Sequence, residues 1–168
     1  AGCILERGRP TKGTAMPAIE ITKFWEFSKA KLSESPVQAT MDPVAEWADR
    51  TLTVYRVTMT SFEDVKIRAW YTIPNGTPPS RGWPAILEVP SYTGNHVLPG
   101  YYARFGYASL SLYPRGQGES MHEWQLDQDV PKLLYKITNR DAYYYRGAYM
   151  DCIRGLDFLE SRPEVDGL

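Results

Sequence analysis

Residues 84–112 read PAILEVPSYTGNHVLPGYYARFGYASLSL. Two short apolar runs, 84–90 and 107–112, bracket a stretch rich in Gly, Pro and Tyr. Runs of this length, bounded by turn formers and lacking polar alternation, are how strands covered on both faces read. The spacing predicts a short helix over 97–105 between them, and a strand–helix–strand unit of this kind implies parallel pairing. Downstream, Tyr145, Tyr149, Cys152, Leu156 and Leu159 recur at intervals of four and three, which predicts a second helix over 142–161. Asp141 stands where it can cap the helix start, and Pro163 follows its end.

Upstream the period changes to two. Leu52, Val54, Arg56 and Thr58 alternate with Thr53, Tyr55, Val57 and Met59; Val65, Ile67, Ala69, Tyr71 and Ile73 alternate with Lys66, Arg68, Trp70 and Thr72. This predicts an antiparallel hairpin with one buried and one wet face, turning over 60–64. Before it, Ile21, Phe24, Trp25 and Leu32 define one face of a helix over 19–32. The whole reads as an α/β fold: a mixed, mostly parallel sheet, an N-terminal antiparallel hairpin and flanking helices. Residues 164–168 follow a helix and are expected to lead into a further strand. Residues 18–168 are therefore expected to be the N-terminal portion of a larger α/β domain, preceded by a tail over 1–17.

Nineteen basic side chains against twenty acidic ones argue against a strongly basic nucleic-acid binder. No run approaches the length of a membrane span. The opening stretch has only Cys3-Ile4-Leu5 as an apolar core, too short for a secretory signal, so the expected location is cytoplasmic. A lipoprotein remnant at Cys3 is the lesser alternative. Two cysteines, Cys3 and Cys152, form neither a disulfide framework nor a zinc-ligand spacing, and with only His96 and His122 no metal site is expected. No cofactor motif is found: Gly116-x-Gly118 lacks the third glycine of a phosphate-cradling loop.

Several landmarks occur in a characteristic order. They are Phe24-Trp25-Glu26, Met41-Asp42-Pro43-Val44, Ile73-Pro74, Tyr92-Thr93-Gly94, Arg115-Gly116-Gln117-Gly118, Tyr143-Tyr144-Tyr145-Arg146 and Arg162-Pro163-Glu164-Val165-Asp166. In this arrangement the chain resembles the first half of an acetyl xylan esterase / cephalosporin C deacetylase, a carbohydrate-esterase branch of the α/β-hydrolases. The resemblance covers roughly residues 20–168. It implies the N-terminal part of an α/β-hydrolase fold and a serine carboxylesterase that removes acetyl groups from small sugars or related esters. It also implies a homo-oligomer. The Ser, Asp and His of the triad are expected downstream, in the C-terminal remainder of the domain, because no G-x-S-x-G elbow occurs in this chain. The chain alone is thus expected to be inactive. The competing reading is a non-catalytic fragment or interaction module.

The resemblance assigns the Tyr92 backbone N–H to the oxyanion hole, since the loop after this strand supplies one such donor in α/β-hydrolases. Gly94 belongs to the same loop, although Asn95 stands where the family tends to place a second glycine. Arg115 and Gln117 are expected to brace neighbouring loops, with Gly116 and Gly118 permitting a tight turn. His96 and His122 read as loop histidines, and neither matches the family's base. Tyr101, Tyr102 and Tyr143–Tyr145 with Arg146 are expected in packing or a subunit contact. Glu119 and Asp127 form a carboxylate pair of unfixed separation, which gives a glycosidase reading little support.

Overall fold

The computed structural model describes residues 18–92, 99–127 and 129–167. Helix α1 spans Ala18–Ser33 and precedes three antiparallel strands: β1 Ala39–Pro43, β2 Leu52–Thr60 and β3 Lys66–Pro74. Strands β4 Ala85–Glu88 and β5 Ala108–Tyr113 follow, and helix α2 covers Tyr144–Glu160. The strand order is β1-β2-β3-β5-β4, with β3–β5 antiparallel and β4–β5 parallel. The crossover that skips a position places the earlier strand, β4, outside the later one. After α2 the chain returns to the other side of β4: the Trp83 amide donates to Glu164 O (2.8 Å), and the Asp166 amide to Trp83 O (2.9 Å), making a parallel bridge between Trp83 and Val165. The mixed α/β architecture is the expected one, but the described sheet is mostly antiparallel rather than mostly parallel: parallel pairing is confined to β5–β4 and this bridge.

Period-two alternation sends alternate residues of β2, β3 and β5 to opposite faces. One face carries Val57, Met59, Ile67, Ala69, Tyr71, Leu110 and Leu112, and α2 seals it with Phe158 and Leu159. The Phe158 ring meets the Tyr71 ring edge to face at 5.3 Å. The opposite face was expected to be wet. Instead Leu52, Val54, Trp70 and Tyr113 form a second core there, with Ala103 from the 3₁₀ turn Tyr102–Phe105. Trp47 stacks on Trp70 at 4.6 Å and the Arg56 guanidinium lies over the same ring. The alternation in β3 is thus between two covered faces, because the segment that crosses between β4 and β5 lies over one of them. Of the helix expected over 97–105, residues 99–105 are described, and only Tyr102–Phe105 form a helical turn, of the 3₁₀ type.

Three expectations for the helices differ from the structure. In α2 the buried face runs through Tyr144, Gly147, Ala148, Asp151, Gly155 and Phe158; of the predicted stripe Leu159 is buried and Cys152 packs against the same core, whereas Tyr149 is 53 % exposed. A periodicity count favours large apolar residues, whereas this face also includes Gly147, Gly155 and the Asp151 carboxylate, and its glycines let the helix approach the sheet. Gly155 sits so close that a Cβ there would meet Leu112 and Leu87 at 3.1 Å. Asp141 does not cap α2. The cap position is Tyr143, without a side-chain cap, since the helix begins three residues beyond Asp141. In α1 the inward face is Phe24, Trp25, Ser28 and Leu32, while Ile21 is exposed.

Among the described residues no helix is long and apolar enough to cross a membrane. Cys152 is a free thiol, and burial pushes it up to about 11; Cys3 lies outside the described residues. Two predictions follow from this packing. Phe158→Ala should cost about 3–5 kcal/mol in urea unfolding, the range for emptying a sealed aromatic site. Cys152 should resist a thiol reagent at pH 8 in the folded protein and react at the rate of a free thiol once denaturant is added.

Candidate active site

The turn after β5 gathers most of the residues singled out from the sequence. Arg115 leaves the strand end and buries its guanidinium against α2. Its Nε and backbone N–H both donate to Asp151 Oδ2 at 2.9 Å, and its Nη2 donates to Asp151 Oδ1 and to Phe62 O, each at 2.8 Å. Ser61 Oγ donates to Asp151 Oδ1 at 2.6 Å. The Arg115 and Asp151 side chains are 4 % and 0 % exposed, so this ion pair sits out of water. A buried pair of this kind is tolerated because the forked geometry and added donors satisfy both charges. Gly147 leaves the space the guanidinium occupies: a Cβ there would stand 2.5 Å from Arg115 Nη1.

Tyr144 closes the turn from the other side. Its hydroxyl donates to Arg115 O at 2.9 Å and accepts from Gln117 Nε2 at 3.0 Å. Burial pushes this phenol up to about 12. Gly116 and Gly118 have φ of +66° and +44°. At Gly118 a Cβ would fall 2.1 Å from the Tyr113 ring, so this position needs glycine for space as well as for conformation. Lys132 Nζ donates to Gly116 O at 3.0 Å, and burial draws its ammonium below the ordinary lysine range.

Tyr92 follows β4 and stands on the rim of this assembly. Its hydroxyl accepts from the Leu133 amide at 3.4 Å, and Lys132 Nζ lies 5.6 Å from its ring centre. Lys132 therefore links the Tyr92 loop to the Gly116 carbonyl. Beside them opens a largely apolar cleft of about 330 Å³ lined by Gly116, Met121, His122, Trp124, Leu126 and Lys132, among others. Gly94 and His96 lie outside the described residues.

Other sequence candidates take structural places. Ser120, in the stretch Gly116-Gln117-Gly118-Glu119-Ser120 whose order does not match a G-x-S-x-G elbow, is fully buried; its Oγ donates to Tyr113 O and accepts from the Arg68 amide, which leaves no approach for an acyl group. Glu119 pairs with Arg56 at 3.6 Å, and Asp127 accepts from the Tyr135 hydroxyl at 2.7 Å, so each carboxylate has its own partner. Of the tyrosines expected in packing or a subunit contact, Tyr144 is buried in the packing, Tyr143 and Tyr145 are half-exposed, and Tyr101 is 64 % exposed. Among the described residues no three His, Cys, Asp or Glu side chains converge as metal ligands. The sequence reading missed Asp151 and Lys132. A lone aspartate on the inward stripe of a helix was the available sign of the first; nothing in the local pattern marks the second.

Two stability predictions rest on this geometry. Arg115→Met should destabilise by about 3–5 kcal/mol, because it strands the Asp151 charge, and the double variant Arg115→Met/Asp151→Leu should recover most of that loss in denaturant unfolding. The raised Tyr144 phenol contributes stability that is fully present below pH 10 and is lost as pH rises from 10 to about 12. A Tyr144→Phe variant should show a shallower decline in stability across that window.

Residues 6–167 match the acetyl xylan esterase family. The acetyl esterase Axe7A of Xylanibacter ruminicola is 24 % identical over 159 residues, which is 86 % of this chain and 35 % of that protein. Among solved structures, the acetyl xylan esterase from Paenibacillus sp. R4 superposes with a TM-score of 0.75 at 30 % identity, over 86 % of this chain and 48 % of that one. Acetyl xylan esterase 1 from Thermoanaerobacterium sp. JW/SL YS485 gives 0.74 at 15 % identity, over 88 % and 47 %, a likeness of fold. The chain thus spans about half the length of these solved relatives and about a third of Axe7A. With a family match that covers nearly its whole length, this chain belongs to the acetyl xylan esterase family.

Proposed function

We propose that this chain forms the oxyanion side of a serine carboxylesterase that deacetylates small acetylated sugars or related esters, with the triad carried by a segment beyond residue 168. The observation that carries this reading is the Trp83–Val165 bridge. After α2 the chain begins to pair, in parallel, along the free side of β4, whose four residues are all only half-buried. A strand continued there would end next to Tyr92, at the carboxyl edge where open α/β sheets bind ligands. In α/β-hydrolases that is where the nucleophilic serine turns out of its strand.

In this reading a serine hydroxyl, deprotonated by histidine, attacks the acetyl carbon, and the carbonyl oxygen becomes an oxyanion held by the Tyr92 N–H and the amide following the serine. As the intermediate collapses and the acyl C–O bond breaks, the leaving sugar oxygen takes the proton from the histidine and departs as a hydroxyl, and water then hydrolyses the acyl-enzyme. Met121, Trp124 and Leu126 in the cleft beside Tyr92 supply apolar walls, and Lys132 ties the oxyanion loop to the turn after β5. Arg115 and Gln117 act as positioning residues, since their partners are α2 and the hairpin turn. A homo-oligomer and a cytoplasmic setting belong to the same proposal.

Hydrolysis of p-nitrophenyl acetate tests it. The 168-residue chain should show no turnover above buffer, and a protein extended through the following strand and triad should be active. In that extended protein, Tyr92→Pro, which removes the N–H, should lower kcat about 10²–10³-fold, while Tyr92→Phe should leave it within a few-fold. Turnover by the chain alone, or an unimpaired Tyr92→Pro variant, would sink the assignment.

A further inference from the structure

The cleft beside Tyr92 has apolar walls at Met121, Trp124 and Leu126, yet Lys132 stands among them. The Lys132 side chain is half-buried; its Nζ donates to Gly116 O at 3.0 Å, and the Tyr92 ring centre lies 5.6 Å away. A carbonyl and a ring face moderate this charge without cancelling it. Among the described residues no carboxylate lies within ion-pair distance of Lys132. The acids of the neighbouring segment are held elsewhere: Glu119 pairs with Arg56, Glu123 with Arg68, and Asp127 with Tyr135 and Lys136. Residues 93–98 and 128, outside the described set, include no Asp or Glu.

An ammonium offers three N–H donors, and Gly116 O takes one of them. Burial draws Lys132 below the ordinary lysine range, with no neighbouring anion to restore it. A carboxylate brought to this position meets a charge that water only partly screens. The cleft holds about 330 Å³, room for a ligand of several rings' atoms rather than for a two-carbon acyl group alone. Acetyl therefore leaves most of the space to the alcohol part of the ester. His122, also on the wall, carries no negative charge in either protonation state and does not compete with an anion for Lys132.

We infer that Lys132 selects the alcohol part of the ester: it receives a carboxylate carried by the sugar, so that acetylated uronic acids are hydrolysed in preference to acetylated neutral sugars. The two donors left on Nζ serve the carboxylate, while Met121, Trp124 and Leu126 meet the carbons of the ring. Lys132 acts here through its charge, over and above its tie to the Tyr92 loop. The preference for an acidic ester rests on the esterase reading; the carboxylate site does not.

Comparing kcat/KM of the extended protein for a mono-O-acetylated methyl glucuronoside and the matching methyl glucoside tests it. The acidic ester should be favoured about tenfold, the scale of one hydrogen bond to a charged group, chiefly through KM. Lys132→Met should abolish the preference, Lys132→Arg should keep it, and added sodium chloride should shrink it. The ratio isolates charge recognition from any loosening of the Tyr92 loop, which lowers both rates alike. Calorimetric titration of the same protein with the two unacetylated glycosides reads the site without turnover; the glucuronoside should bind more tightly, and Lys132→Met should remove the difference. A protein that hydrolyses neither ester yet shows this binding would sink the esterase reading and uphold the carboxylate site. Equal kcat/KM in an active protein, equal binding of the two glycosides, or a preference that survives Lys132→Met would overturn the inference.

Discussion

The carboxylate of Asp151, fully buried inside α2, has to be met by a cation and by every donor the surroundings can supply. Arg115 meets it from the end of β5 with three N–H groups, and the Ser61 hydroxyl adds a fourth donor from the hairpin turn. One bracket therefore pins a helix, a strand end and a hairpin to a common point. The turn that carries Gly116, Gln117 and Gly118 has little freedom left once Arg115 is fixed, because Tyr144 also grips its carbonyl. The position of that turn sets the floor of the apolar cleft, and through Lys132 it sets the anchor of the Tyr92 loop.

This arrangement explains why α2 packs through small residues. Gly147 admits the guanidinium and Gly155 admits Leu87 and Leu112, so the helix lies close enough for its aspartate to reach the strand end. Hydrophobic burial by Phe158, Leu159 and the β-strand side chains stabilises the layer. The bracket fixes its register. An apolar substitute for the pair could match it in stability, but would not hold the turn by its main chain as Asp151 does through the Arg115 amide.

Much of this was legible in the sequence, for physical reasons that differ by element. The hairpin announced itself because strict alternation over nine residues has few other solutions, and β4 and β5 because short apolar runs between turn formers must be covered on both faces. The inward stripe of α2 was misread because counting large apolar residues rewards Tyr145 and Tyr149, while contact with the sheet rewards glycine. The second covered face of β3 was hidden because Trp70 and Thr72 read as the polar side of an alternating strand, and only the path of a distant segment buries them. For the site, the RGQG turn and the tyrosine after β4 stood out as motifs. Asp151 and Lys132 did not, since their partners lie 36 and 16 residues away in the chain. Such pairings are made by topology.

The functional account rests on where a further strand would run. The bridge from Trp83 to Val165 starts a pairing along β4, and the relatives of this family extend well beyond the length of this chain. In the proposed reading, the turn after β5 and Tyr92 form one side of a site whose nucleophile would arrive on the neighbouring strand. Within the chain Ser120, just past the turn after β5, spends its hydroxyl on two main-chain groups. Labelling with a fluorophosphonate, followed by peptide mass spectrometry, reads this directly. The account predicts no adduct on any serine of residues 1–168 and a single adduct beyond them in the extended protein. An adduct on Ser120, or on any other serine of this chain, would contradict it.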